Sequence, residues 1–248
     1  MAIYLQDNQT SLPKDLIQEL ATSDPPPKLP AEPSFGLDSI FGLCLSSFAA
    51  PVYLYASLKG KSQVWDDVLA TIPDEVFHGP ALDVGCGRGL VLLKVAERKQ
   101  KLTRGASDGC ICPAYGIDIF SKADQTGNSP LATYQNAAAM GVSANTVLHR
   151  ASFTEQLPFA DGVFSLVTSN LAIHNVNREG QTVAIKEMAR VCKPGGRIVM
   201  IDLYGHFKDH KAVLLELGWK EVKIELVGFK MLYGVLPCQI LTTIKPSQ

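Results

Sequence analysis

The segment Ala81-Leu82-Asp83-Val84-Gly85-Cys86-Gly87-Arg88-Gly89 places an acid and three alternating glycines directly after an apolar run. Glycine lacks the Cβ that keeps ligands off the main chain, so Gly85, Cys86 and Gly87 form a turn on which a nucleotide-type ligand can lie. A dinucleotide site spaces its glycines G-x-G-x-x-G. Here Leu90 takes the third position, and Asp83 would repel a pyrophosphate. The pattern suits a ligand with positive charge. Asp118 closes a second apolar run, Ala114–Ile117, where a carboxylate can take the hydroxyls of a ribose or simply cap a turn; Ile119 follows it. For proton transfer the best-placed group is His174, just past an apolar run ending at Asn170. An imidazole there can act as a base, and the alternative is a positioning or packing role. Tyr53, Tyr55 and Tyr204 are weaker candidates. His78, His149, His206 and His210 read as surface or loop residues without metal-ligand spacing. No acid pair points to glycoside or phosphoryl chemistry.

These residues need strands that end on one face, with helices between them. From Ala81 onward apolar runs alternate with amphipathic segments, the signature of an α/β parallel sheet covered on both faces. Strands are expected at Ala114–Ile117, Thr146–Leu148 and Phe164–Thr168, after Gly196, and near Val222–Val227 and Gln239–Ile244. Ser129-Pro130 opens a helix over Leu131–Met140, and Lys211–Leu217 is a helix closed by Gly218. The interval from Gly89 to Asp118 is 29 positions, where about 20 is usual. Lys99–Pro113 is therefore expected to be an inserted surface loop. The polar run from Asp124 to Ser129 is either a source of ligand contacts or a solvated turn.

The nonapeptide resembles the first motif of the class I S-adenosylmethionine (SAM)-dependent methyltransferases. Leu157-Pro158-Phe159-Ala160-Asp161-Gly162-Val163-Phe164-Ser165 resembles the run that precedes the fourth strand in the ubiquinone/menaquinone-biosynthesis C-methyltransferase type, with Ser165 in place of its second acid. Arg190-Val191-Cys192-Lys193-Pro194-Gly195-Gly196 is similar to that family's turn into the fifth strand. The resemblance covers Ala81 to Pro246 in order. It implies a Rossmann-like seven-stranded sheet with helices on both faces and SAM as methyl donor. It also implies a cofactor site of Asp83, Gly85, Cys86, Gly87, Asp118, Ile119 and Asn170, with His174 near the acceptor. In that family an acid accepts a hydrogen bond from the adenine amino group; the position here is Phe153, or Ser152 if the loop is one longer. Phenylalanine cannot accept that bond but can stack on a purine.

The implied reaction is methyl transfer to a small hydrophobic acceptor of quinone, polyketide or other natural-product type. Two alternatives share the fold: a pericyclase that binds SAM without spending its methyl, and a cofactor-binding regulatory subunit. Three regions are expected. Residues 1–33 are a proline-rich arm, 34–78 an apolar helical segment, and 79–248 the SAM-binding domain. Phe35–Tyr55 is the most apolar stretch, a lid, a contact with a second subunit in a homodimer, or a membrane-facing helix. Ser57–Ile72 is expected to be helical. A formal net charge of -1 and the absence of a basic–aromatic run argue against nucleic acid as partner. Six cysteines without paired CxxC spacing point to reduced thiols and a cytoplasmic setting, without a metal.

Overall fold

Short apolar runs bounded by turn formers become strands buried on both faces, and the segments between them become the covering helices. The computed structural model describes residues 3–5, 30–36, 54–105, 112–121, 125, 127–233 and 236–247. A π-helical turn, Ala56–Gly60, leads into α1 (Lys61–Ala70) and then α2 (Asp74–His78). There follow β1 (Ala81–Val84), α3 (Leu90–Gly105), β2 (Ala114–Asp118), α4 (Pro130–Ala139), β3 (Thr146–Arg150) and β4 (Phe164–Asn170). The chain closes with α5 (Arg178–Val191), β5 (Cys192–Leu203), α6 (Phe207–Glu216), β6 (Lys223–Leu226), β7 (Leu232–Tyr233) and β8 (Leu236–Ile244).

The sheet runs β3-β2-β1-β4-β5-β8-β6. The first five strands are parallel, and β8 lies antiparallel between β5 and β6. The seven expected strands form this path, and two-residue β7 is an eighth that pairs with β8 beside it. Strand order reverses between β1 and β4, which opens a crevice at their carboxyl ends. Alternation along β5 divides the core between the two faces. Val199 and Ile201 pack with Trp65, Leu69, Phe77 and Leu92 from α1 to α3. Ile198 and Met200 pack with Ile185 and Met188 of α5 and Phe207 of α6. The Ser129 hydroxyl caps α4 by accepting from the Ala132 N–H, and Pro130 sits in its first turn.

Two expectations change. The expected loop Lys99–Pro113 is helical as far as Gly105, while 106–111 lie outside the described residues. The reason is tertiary: buried Lys99 donates to the carbonyls of Phe77 and Gly79, tying α3 to the end of α2. Burial lowers its ammonium to about 8. Similarly, β5 begins at Cys192, before the Pro-Gly turn; Phe164 pairs with Cys192 and Leu166 with Arg197, so Lys193–Gly196 bulge out of the ladder. Within the expected arm, Tyr4 bridges to Phe159 and packs on Tyr115 and His149.

His149 and His210, expected at the surface, are both buried, and burial pushes each down to about 4. An unfolded histidine takes up its proton near 6.5. The folded His149 resists it until about 4, so this contribution is intact above 6.5 and lost as pH falls toward 4. Urea unfolding from pH 7 to 4 should show the stability of the wild type falling more steeply than that of His149→Phe; parallel curves would contradict a neutral His149.

Candidate functional site

Where β1 ends, the chain turns through three left-handed glycines, Gly85, Gly87 and Gly89, with φ of 72°, 50° and 90°. The N–H groups of Gly85 and Cys86 both donate to the Ile117 carbonyl, at 2.9 and 3.0 Å, and stitch the turn to β2. The Gly87 N–H donates to Asp118 Oδ2 at 2.8 Å. The other carboxylate oxygen, Oδ1, accepts from Asn128 Nδ2 at 3.3 Å. The Arg88 N–H donates to Gln125 Oε1 at 3.1 Å, and Gln125 Nε2 donates to the Phe35 carbonyl at 2.9 Å. The glycines leave room for these approaches: a Cβ on Gly87 would lie 2.5 Å from Gln125 Oε1, and one on Gly85 would collide with the Ala172 methyl.

Asp83 is buried one strand away. The Thr168 hydroxyl donates to its Oδ1 at 2.7 Å and the Leu92 N–H to its Oδ2 at 3.1 Å. Burial outweighs both bonds and raises its carboxyl to about 7. At the end of β4, Asn170 Oδ1 accepts from the Trp65 indole N–H at 2.8 Å, across 105 positions of sequence. Leu171 and Phe120 are the non-glycine residues with left-handed backbone among those described, at φ of 50° and 57°. Each follows a strand end at the crevice, where strained backbone is held by its surroundings.

One cavity gathers Asp83, Gly85, Cys86, Gly87, Asp118, Ile119, Phe153 and Asn170. Ser152 is not among its lining residues; its hydroxyl engages Thr154 Oγ1 at 2.7 Å. The two residues weighed for the adenine position thus separate, and Phe153 is the one on the wall. Ile119 is 52% exposed, an apolar face beside the carboxylate of Asp118. Phe35, Gln125, Asn128, Asn175 and Tyr233 complete much of the lining. His174 sits behind this wall. Its Nδ1 is 2.5 Å from Asp202 Oδ1, its N–H donates to Asp202 Oδ2 at 3.2 Å, and its ring lies edge-on to Tyr233 with centroids 5.4 Å apart. Tyr53 lies outside the described residues, as do 37–52 of the expected lid. Tyr55 and Tyr204 are exposed, and the Tyr55 hydroxyl donates to Gln63. No helix among the described residues is long and apolar enough to cross a membrane.

Sequence reasoning missed Trp65, Tyr233 and the role of Asp202. Asp202 carried a usable signal, an acid at the end of an apolar strand run. Trp65 and Tyr233 carried none, because their partners come from distant elements.

Residues 82–200 match the family described as methyltransferase domain. The ubiquinone/menaquinone biosynthesis C-methyltransferase UbiE of Geotalea daltonii is 30% identical over 125 residues, 50% of this chain and 46% of that protein. The chain therefore spans less than half of that relative's length. A geranyl diphosphate methyltransferase in complex with SAM superposes with a TM-score of 0.57 at 15% identity, covering 86% of this chain and 98% of that one. The 4+2 cyclase SpnF gives 0.56 at 16% identity, covering 88% and 99%. At such identities these likenesses show the fold. Residues 82–200, a little under half of the chain, are thus similar to a methyltransferase domain, and the fold is the Rossmann-like one of these solved structures.

The geometry ranks two substitutions. Gly85→Ala meets a Cβ rooted on rigid backbone, whereas Gly87→Ala meets the far end of a glutamine side chain. Both also incur left-handed strain of about 1–2 kcal/mol. Urea unfolding should show Gly85→Ala as the more destabilised; the reverse order would contradict the close packing of Ala172 on the turn.

Proposed function

We propose that this chain transfers a methyl group from SAM to a small hydrophobic acceptor of quinone, polyketide or other natural-product type. The observation that carries this reading is the meeting, in one cavity, of the Cβ-free turn with Asp118, whose carboxylate Gly87 itself orients. The residues present fit the cofactor. Asp118 would take ribose hydroxyls, Ile119 and Phe153 offer apolar faces for a purine, and Asp83 supplies charge for a cation. SAM supplies a methyl group on a sulfonium, open to in-line displacement. The chain's part is alignment and exclusion of water, which account for much of such a rate. Phe35 lines the cavity and its carbonyl accepts from Gln125, which supports a lid role for the N-terminal segment. The relative named for ubiquinone/menaquinone biosynthesis supports a quinone-type acceptor.

His174 is the proposed base for an acceptor that must lose a proton. A carboxylate only accepts hydrogen bonds, so Asp202 places the imidazole proton on Nδ1 and leaves Nε2 to take another. Tyr233 lines the cavity and packs edge-on against the His174 ring, which supports an acceptor reached from that side.

Methyl-labelled SAM incubated with quinone and polyketide acceptors should yield labelled product. Isomerised but unlabelled product would replace methyl transfer with the pericyclase reading. In calorimetry Asp118→Ala should weaken SAM binding by about 1–3 kcal/mol, the scale of a lost charge-assisted bond, and unchanged affinity would remove Asp118 from the site. Since an ionised Asp83 attracts a cation, SAM affinity should rise with pH through about 7 in the wild type and stay flat in Asp83→Asn. His174→Gln should lower turnover ~10²-fold with SAM affinity nearly unchanged; a small, pH-independent loss would end the general-base role.

A further inference from the structure

Ser34, Phe35 and Gly36 bring the N-terminal part of the chain to the cavity, which Phe35 lines, and none of the three lies in a strand. Side chains hold their backbone instead. Asn136 Oδ1, on α4, accepts from the Ser34 N–H at 2.9 Å, and its Nδ2 donates back to the Ser34 carbonyl at 2.9 Å. The same Nδ2 donates to the Arg88 carbonyl at 2.9 Å. Gln125 makes a second bridge of this kind, since its Oε1 takes the Arg88 N–H and its Nε2 gives to the Phe35 carbonyl. Lys61 Nζ adds the Gly36 carbonyl at 3.4 Å. A primary amide has two N–H donors and one carbonyl acceptor. Asn136, 1% exposed and not among the residues lining the cavity, commits both sides of its amide to these bonds. Turned around, it would set its oxygen against two carbonyls, so its orientation is fixed.

We infer that residues 34–36 are a strap that closes the cavity, and that Asn136 and Gln125 are its latch, so that ligand enters and leaves when their bonds to the strap break. The identity of the ligand rests on the reading of the cavity as a SAM site; the latch does not. Asn136 is a positioning residue that acts through the strap. A segment held by a few side-chain bonds outside the sheet can open while the sheet stays intact, because only its own contacts are lost. Such openings commonly set the rate of ligand exchange. The two amides also hold both backbone groups of Arg88, so the closed strap and the shape of the glycine turn support each other. The kinetic signature is specific. A gate passed on the way in and on the way out governs both rates, so weakening its latch speeds both and changes their ratio less. A residue that merely shapes the wall acts on exit alone.

Stopped-flow binding of S-adenosylhomocysteine tests this on the wild type, Asn136→Ala and Thr133→Val. Thr133, on the same helix, holds the same turn through its hydroxyl, which donates to the Gly87 carbonyl at 2.7 Å. Asn136→Ala should raise the association and dissociation rate constants together, by about two- to tenfold, the scale of one hydrogen bond. Thr133→Val should leave association unchanged. Faster dissociation alone in Asn136→Ala, or an equal rise in association in Thr133→Val, would overturn the latch. Hydrogen exchange on the wild type decides the matter even if Asn136→Ala does not fold. The Ser34 amide should exchange much faster than the amides of β4 and β5, and more slowly once S-adenosylhomocysteine is added. Exchange in step with the sheet would mean that the strap opens only when the whole protein unfolds, and the inference would be wrong. If the wild type binds no S-adenosylhomocysteine, the SAM reading of the cavity falls, while exchange at Ser34 still shows whether the strap opens by itself.

Discussion

The carboxylate of Asp118 is the point at which three separate pieces of chain are held to one another. One oxygen takes the N–H of Gly87 from the turn after β1, and the other takes the amide of Asn128 from the turn before α4. Asp118 itself ends β2. A charged acceptor makes shorter and stronger bonds than a neutral one, and a carboxylate has room for several donors at once. The same group can therefore order the glycine turn and still meet a ligand at the mouth of the cavity. The glycines serve this arrangement: only left-handed backbone without Cβ carries the Gly87 N–H round to the carboxylate while Ala172 and Gln125 close in behind it.

The two acids of the site differ because their surroundings differ. Asp83 is sealed between Thr168 and Leu92, and burial holds it near neutrality, so its charge depends on what lies beside it. Asp118 faces the cavity. For the cofactor proposed above, such a pairing would offer two kinds of contact, a polar clamp for hydroxyls and a carboxyl that ionises more readily when a cation approaches. On the far side, Trp65 fixes Asn170 and Asp202 fixes His174, so both groups are set by bonds from elements other than their own.

Lys99 shows how a local pattern can be overruled. Gly105 and the charged residues around it read as a loop, but the buried Lys99 ammonium satisfies two carbonyls at the end of the α2 region and ties that stretch of helix to the body. His149 and His210 make the same point for exposure. Nothing in their immediate neighbours distinguishes a buried neutral imidazole from a solvated one, and the residues that bury them, such as Tyr4 and Gln181, are remote.

By itself the sequence determined the sheet, its parallel strands and the glycine turn that lines the cavity, because those rest on local physics. Apolar runs cannot stay in water, glycine alone adopts the turn without strain, and an acid at a strand end of this architecture faces the crevice. The family resemblance in the sequence also named part of the cavity wall, from Asp83 to Asn170. Only the tertiary structure decided between Ser152 and Phe153, since one residue of loop phase sends the first toward Thr154 and the second into the cavity. It alone brought Trp65 to Asn170, Asp202 to His174 and Tyr233 to the wall. Each of those contacts joins elements that neither adjacency nor periodicity connects, and a hydrogen bond depends on where the folded chain puts its two atoms, which no local pattern encodes.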